Sequence, residues 1–357
     1  MISDDTSRNT KEIETSISDK QLENCTFVKG ILLLIIILSH SMVFWRGDWF
    51  TAITATSIRP EISVVVSFVS NFHVYAFTLV SGYLYSYLKY ERNKYDKFGK
   101  FIFNKVKRLV IPYLCVGVFW IVPFQAFFFK ESYIQVVIKL LLGDFNAQLW
   151  YILMLFWVFV FIYPVSSIIK KYNWISVFIG LFAYALSILL GKFVSHDFEI
   201  INALTHIPCF ILGIKLREYH HKRLIRFNLA LILGGCYVLL YVLNLFIDGS
   251  GLKLLSIISI LTIFLQRCIG ACAAFVILQL LGNKIRWNNS KVCGVYFRNS
   301  MAIYLFHQQL IYCSLWLLNG IPIYVHIIIN FVFSIGLSIL ISLFLMKYRL
   351  TRYLIGC

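Results

Sequence analysis

Lys29 and His40 lie eleven residues apart in the first long apolar run of the sequence. Eleven helical residues make about three turns and rise about 16 Å, so the two side chains would share one face of a helix. A cation at one end of that face can hold a phosphate, and a neutral imidazole deeper in the run can act as a general base or as a nucleophile. The spacing equally suits a lysine that reaches lipid headgroups and a histidine that bonds a neighbouring helix.

Two further histidines and one arginine interrupt other apolar runs: His73, His307 and Arg267. Each histidine alone is typical of helix packing, but together with His40 they indicate three helices that bring imidazoles to a membrane interior. No Asp or Glu accompanies them inside an apolar run, which argues against a proton-coupled carrier and against a Ser-His-Asp triad. Arg267 would therefore bond carbonyls, face a water-filled cavity or meet an anionic ligand.

The apolar runs are the elements that must position these residues. Of the 357 residues, 60% are hydrophobic and 14% are charged, and the mean hydropathy of +0.79 excludes a soluble protein. A bilayer core takes about 20 apolar residues as a helix, and the runs are continuous rather than alternating, which excludes strands. The sequence predicts an all-α, polytopic membrane helix bundle of about ten transmembrane helices, at 27–45, 62–88, 109–129, 147–169, 172–191, 200–215, 227–247, 254–281, 299–319 and 321–346.

Segment 131–143 has apolar residues at helical spacing but also Gln135 and Lys139, so it predicts a helix lying in the membrane interface. No linker separates two domains. We expect a polar cytoplasmic N-terminal tail at 1–24, one membrane domain at 25–347 and a short cytoplasmic C-terminal tail at 348–357.

The distribution of Lys and Arg predicts the orientation. With both termini cytoplasmic, the inner segments hold 26 of the 33 basic residues and the outer loops hold 6, with Arg267 alone inside a span. The net charge of +17 is therefore explained by topology and requires no nucleic-acid partner. The largest basic cluster, 88–108, is also where an anionic cytosolic cofactor would dock.

Six segments between about residues 24 and 345 occur in the order of one family's motifs. They are KGILLLIIILSH, FHVYAFTLVSGYLY, KVKRLVIPY, LWYILMLF, HIPCFILG and NSMAIYLFH. Together they resemble the acyltransferase type 3 family of integral membrane O-acyltransferases, and within it the branch that acetylates surface sugars. Lys29 stands where many members have arginine, which keeps the charge but not bidentate phosphate binding, and Tyr75 stands where proline is common.

The resemblance implies an acetyl-CoA-dependent membrane O-acyltransferase. It would move an acyl group, most simply acetyl, from acetyl-CoA to a hydroxyl of a cell-surface polysaccharide such as O-antigen or capsule, or of its lipid-linked precursor. A membrane-embedded histidine would serve as base or as transient acyl carrier. The residues it assigns are catalytic His40, His73 and His307, and cofactor-binding Lys29 and Arg108. We add Arg267 as a third candidate for cofactor binding, because an anionic ligand would pair its charge inside the span.

The implied partners are acetyl-CoA as co-substrate, a carbohydrate acceptor and the lipid bilayer, with no metal and no nucleic acid, and homo-oligomerisation stays open. The implied location is the inner cell membrane of a bacterium, as a multi-pass protein. Two other classes also stay open. One is a carrier or flippase for a lipid-linked sugar without acyl transfer, and the other is a structural subunit of a surface-glycan complex.

Overall fold

The computed structural model describes residues 2–47, 49–53, 55, 57–144, 147–194, 198–219, 226–248, 253–285, 287–318 and 320–356. In this part of the chain the regular secondary structure is helical, without a strand. The α-helices are α1 Ile2–Val43, α2 Pro60–Ser70, α3 His73–Ser86, α4 Phe98–Lys105, α5 Ile111–Val116, α6 Val122–Phe129, α7 Tyr133–Leu142, α8 Trp150–Lys171, α9 Asn173–Leu190, α10 Ile200–Tyr219, α11 Phe227–Asp248, α12 Lys253–Lys284, α13 Lys291–Arg298, α14 Ser300–Leu317, α15 Ile323–Leu345 and α16 Arg349–Leu354.

Three helices continue directly into π-helical turns, in which a backbone N–H bonds the carbonyl five residues back. These turns are Tyr87–Glu91 after α3, Val106–Val110 after α4 and Gly117–Ile121 after α5. The second and third of these turns join α4, α5 and α6 into one helical run, Phe98–Phe129. The predicted span 109–129 is thus the second part of a longer run that begins in the basic segment before it.

Nine helical runs in the described part of the chain are long and apolar enough to cross a membrane. They coincide with nine of the ten predicted spans, and the all-α, polytopic membrane fold is confirmed. The remaining predicted span, 299–319, is the 18-residue helix α14, which is less apolar because it contains His307, Gln308 and Gln309. Segment 131–143 forms α7, whose 10 residues are too few to span.

The helices pack into two compact units, and α1 and α10 contribute one part to each. In the first unit α12 packs against α3 and α11, and in the second unit α14 packs against α15. The first unit is Met1–Leu32, Asn71–Lys94 and Cys209–Phe297, and the second is Leu33–Ser70, Tyr95–Pro208 and Arg298–Cys357.

Within the first unit the backbones of α3 and α10 approach each other at two glycines. A Cβ added at Gly82 would collide with the carbonyl oxygen of Phe210, and one at Gly213 would collide with that of Leu79. Membrane helices associate through close packing rather than through a hydrophobic driving force, so small residues at the interface let them approach. The two glycines therefore fix the distance between α3 and the end of α10.

Within the second unit α15 buries a polar face. His326 begins a row at four-residue spacing in which every member is at most 5% exposed. Four residues apart on a helix place side chains on one face, and the apolar residues of α15 take the exposed side. Polar groups on such a buried face can bond across helices, as when Ser342 Oγ donates to Asn299 Oδ1 at 2.7 Å. The remaining members of the row are Asn330, Ser334 and Ser338.

The predicted orientation has both termini in the cytoplasm and five loops on the outer face of the membrane, at 46–61, 130–146, 192–199, 248–253 and 319–320. Within these loops, residues 195–197 and 249–252 are among those that the structure does not describe. In an otherwise cysteine-free chain, we expect a membrane-impermeant thiol reagent to label Arg59→Cys and Lys192→Cys in intact cells. Lys97→Cys, equally exposed, should react only after permeabilisation. Strong labelling of Lys97→Cys from outside would overturn the topology.

Candidate active site

His40 and His307 lie side by side in the second unit, His40 near the end of α1 and His307 near the middle of α14. Their rings lie edge to edge, with centroids 5.2 Å apart and planes inclined by 13°. Nδ1 of His40 lies 3.0 Å from Nε2 of His307. The side chain of His307 is fully buried, and that of His40 is partly exposed. The structure thus brings together two of the three predicted catalytic histidines.

The backbone carbonyls around His307 determine which ring nitrogen of each histidine carries the proton. Nδ1 of His307 lies 3.0 Å from the carbonyl oxygen of Ile303 and 2.9 Å from that of Tyr304. Carbonyl oxygens only accept, so Nδ1 donates and the neutral ring keeps its lone pair on Nε2. Nδ1 of His40 must then donate to that Nε2, which puts the lone pair of His40 on its own Nε2. A neutral His40 in this tautomer can take up a proton at Nε2.

Aromatic rings from the loop after α1 and from α14 lie beside His40. The indole of Trp49 packs on the His40 ring with centroids 5.5 Å apart, and Tyr312 packs on Trp49 at 4.9 Å. Phe50 is buried and stacks on Tyr312 at 4.2 Å, with the planes 8° apart. These contacts hold the loop against α14. Sequence reasoning missed the three aromatics, because such residues near a span end are typical of the membrane interface.

A buried cluster of glutamines holds the helix that carries His307. Gln148, which directly precedes the Leu-Trp motif of α8, bonds Gln308 and Gln309 of α14. Sequence reasoning did not select these residues. The sequence pattern that could have indicated them is the run His307-Gln308-Gln309 inside a predicted span. Side-chain amides at membrane depth need hydrogen-bond partners, so this run predicts a polar residue on a neighbouring element.

His73, the third predicted catalytic histidine, is buried in the first unit. It is the first residue of α3, and a turn at 71–72 separates that helix from α2. The predicted span 62–88 therefore consists of two helices, with the break directly ahead of the histidine. His73 is not a member of the His40–His307 pair, and its catalytic role stays a prediction.

Arg267 lies in α12 of the first unit, where its guanidinium carbon is 5.0 Å from the centre of the Tyr75 ring. The face of an aromatic ring attracts a cation and offsets part of its desolvation cost. Nε of Arg267 is buried and has no hydrogen-bond partner within the described residues. The ring contact was not among the alternatives drawn from the sequence, and it stabilises part of the charge of Arg267 inside the first unit.

The two predicted cofactor cations at the beginnings of spans lie in different units. Lys29 is partly buried in the α1 part of the first unit, close enough to Cys25 for its charge to act on the thiol. Arg108 is exposed in a π-helical turn of the second unit. Burial raises the pKa of the Tyr95 phenol, and the positive charge of nearby Arg108 opposes that rise. Neither contact assigns a ligand, so cofactor binding by these cations stays a prediction.

A buried arginine outside the predicted set joins two elements of the first unit. Arg217, 2% exposed, donates from Nε and Nη2 to the two carboxylate oxygens of Glu91, each at 2.6 Å. Its Nη1 donates to the Tyr83 hydroxyl at 3.0 Å. This bidentate pair ties α10 to the π-helical turn after α3. In the sequence Arg217 and Glu91 are two of the charges of the inner loops. Because 126 residues separate them, no local pattern indicates that they pair.

The described residues contain no group of three or more His, Cys, Asp or Glu side chains that could hold a metal ion. The cysteines in that part of the chain are free thiols. Two neutral imidazoles in hydrogen-bond contact can transfer a proton or attack as a nucleophile.

An acyltransferase domain model matches residues 24–347, which is nearly the whole chain and contains all six motif segments. Comparisons with curated proteins and with solved structures find no match. The domain match and the nine apolar helices of the described residues agree on a membrane-embedded enzyme. The chain therefore belongs to the acyltransferase type 3 family and is a multi-pass membrane acyltransferase.

Proposed function

We propose that the protein transfers an acyl group, most simply acetyl, from acetyl-CoA to a hydroxyl of a cell-surface polysaccharide or its lipid-linked precursor. The observation that carries the proposal is the His40–His307 pair, whose hydrogen bonds put a basic lone pair on Nε2 of His40 in a membrane acyltransferase. The donor, the acceptor class and a bacterial inner membrane follow from the motif resemblance.

In the proposed reaction, Nε2 of His40 takes the proton of the acceptor hydroxyl as its oxygen attacks the thioester carbonyl. The carbon–sulfur bond then breaks, and the His40 imidazolium returns the proton to the CoA thiolate. Nε2 of His307 accepts from Nδ1 of His40 throughout, so it fixes the tautomer and stabilises the positive charge that forms. In the alternative route, the same Nε2 of His40 attacks the thioester carbonyl, and the carbon–sulfur bond breaks to release the CoA thiolate. The acceptor oxygen then attacks the acyl carbon on Nε2, the carbon–nitrogen bond breaks, and the acceptor's proton goes to the thiolate.

We assign the phosphates of the donor to cations of the inner segments, which hold 26 of the 33 basic residues. Acetyl-CoA is cytosolic and polyanionic. Lys29 shares helix α1 with His40, and the rise of about 16 Å between them suits a narrow pantetheine arm that carries the thioester toward the imidazole. Arg108 and Arg267 complete the proposed set.

Lys29→Gln and Arg108→Gln are each expected to weaken acetyl-CoA binding by about tenfold to a hundredfold, the loss of one charge-assisted contact of about 1.5–3 kcal/mol. Lys29→Arg should be tolerated better than Lys29→Gln because it keeps the charge. Raised salt should mimic the losses if the contacts are solvent-exposed. Calorimetry of acetyl-CoA binding to detergent-solubilised variants measures the effect.

The matched control is Lys139→Gln, which removes a cation from the predicted outer side and should leave the affinity unchanged. Unchanged affinity in both Lys29→Gln and Arg108→Gln, at low salt and with normal folding, would mean that these cations serve topology and headgroups only. Arg267 would then be the next residue to test.

The experiment that tests the function is an NMR spectrum of surface glycans from cells with the gene, without it, and with the His40→Gln gene. We expect an O-acetyl signal only with the wild-type gene, on a glycan of unchanged amount. A glycan that disappears altogether without the gene would instead favour a carrier or flippase. An O-acetyl signal that persists in its absence would contradict the proposal.

A further inference from the structure

Gln148 makes five hydrogen bonds to one stretch of α14. Its backbone N–H donates to Gln308 Oε1 at 2.9 Å, and its Nε2 donates to the Leu305 carbonyl oxygen at 2.7 Å. The amides of Gln148 and Gln309 bond each other reciprocally, at 2.8 and 3.2 Å. The Tyr304 hydroxyl donates to the carbonyl oxygen of Gln148. All of these residues belong to the second unit.

The partners of Gln148 lie on both sides of His307 along α14, since two of them precede the histidine and two follow it. One of them, Tyr304, also supplies a carbonyl oxygen that accepts from Nδ1 of His307. The three glutamines are each at most 3% exposed. Gln148 therefore holds the same helical turn that sets the height, the rotation and the tautomer of His307.

Amides are a costly way to hold a helix in a membrane. A hydrogen bond between membrane helices adds little net stability, and a buried amide that loses its partner is destabilising. Leucines could pack the beginning of α8 against α14 without that risk. Amide hydrogen bonds are directional, so a satisfied network of them fixes one arrangement of the beginning of α8 against α14.

We propose that Gln148 is a positioning residue that acts through His307. By holding the turn of α14, it keeps Nε2 of His307 at 3.0 Å from Nδ1 of His40 and so keeps the His40 lone pair on Nε2. The catalytic part of this inference rests on the function proposed above. A displacement of about 1 Å in a group that takes part in the reaction can lower the rate about a hundredfold.

The first test measures geometry and needs no activity. In an otherwise cysteine-free chain, His40→Cys and His307→Cys should be cross-linked rapidly by a short bifunctional methanethiosulfonate. The native rings meet at Nδ1 and Nε2, so their Cβ atoms are too far apart for a direct disulfide, and the reagent supplies the missing length. Adding Gln148→Leu together with Gln309→Leu should slow that reaction about tenfold. The paired change removes both members of the reciprocal amide, so neither is left without its partner. Gln135→Leu, at an exposed glutamine of α7, is the control and should leave the rate unchanged.

The second test is a double-mutant cycle on kcat for acyl transfer. Gln148→Leu with Gln309→Leu should lower kcat about tenfold to a hundredfold with an unchanged KM for acetyl-CoA, and should cost little further when His307→Phe is already present. A residue that only stabilises the fold would lower the melting temperature and the amount of active enzyme, and its effect would multiply with that of His307→Phe.

The outcomes separate this inference from the proposed function. An unchanged cross-linking rate in the Gln148→Leu and Gln309→Leu background overturns the positioning role whatever the activity. A slowed rate in a protein whose wild type transfers no acyl group supports the positioning of His307 and rejects the proposed reaction. Independent, multiplying effects on kcat overturn the claim that Gln148 acts through His307.

Discussion

His40→Gln is expected to lower acyl transfer by about 10²- to 10⁴-fold, the range that a positioned general base contributes. Glutamine can still donate an N–H to Nε2 of His307, but it cannot take up a proton at neutral pH. The substitution therefore preserves the contact between α1 and α14 and removes only the base. The measurement is the initial rate of labelled acetyl transfer by purified protein, alongside its melting temperature.

Leu38→Ala is the matched control for His40→Gln, because Leu38 is 40% exposed and lies two residues away on the same helix. It should leave both the rate and the fold unchanged. Turnover close to that of the wild type by a well-folded His40→Gln protein would remove the base assignment. It would favour the alternative in which His40 only bonds a neighbouring helix.

The next largest loss is expected for His307→Phe, about tenfold to a hundredfold in kcat. Phenylalanine keeps an aromatic ring at this position of α14, but it neither accepts from Nδ1 of His40 nor donates to the carbonyls of α14. His40 then loses the partner that selects its tautomer, and part of its population carries the proton on the wrong nitrogen. His307→Gln can still accept at that position and should retain more activity than His307→Phe. Steady-state kcat and KM of the two variants measure the difference.

His326→Phe provides the comparison for a buried histidine of the same unit that is outside the pair. Its Nε2 lies 3.3 Å from the carbonyl oxygen of Ser314, so its loss should lower stability without the same loss of kcat. Equal losses of kcat in His307→Phe and His326→Phe would mean that α14 tolerates no change in its packing. His307 would then have no particular role beside His40.

The transmembrane helices were predictable because a bilayer demands long, continuous apolar runs, and the chain supplies them. Nine predicted spans coincide with nine apolar helices in the described part of the chain. The break at 71–72 and the π-helical turns were not predictable, since no proline or glycine marks 71–72 and the turns depend on packing. Helix α1 begins at Ile2, so it includes residues 2–24 of the expected polar tail, and the cytoplasmic position of that tail stays a prediction.

The histidines of the candidate site could be predicted individually, but their contact with each other could not. Histidines in apolar runs are costly, which made His40 and His307 identifiable. Their pairing joins residues 267 positions apart, and no periodicity relates α1 to α14. The tautomer depends on two backbone carbonyls, and the support from Gln148 depends on a contact of 160 residues' separation. Such long-range partners follow from the packing of helices rather than from any local pattern.

The most direct test of the account uses purified protein in liposomes supplied with acetyl-CoA labelled in its acetyl group and with a glycan acceptor. We predict that label appears on the acceptor as an alkali-labile ester, with one CoA thiol released per ester, for the wild type and not for His40→Gln. Movement of a lipid-linked sugar across the bilayer without thioester consumption, or equal ester formation by both proteins, would contradict it.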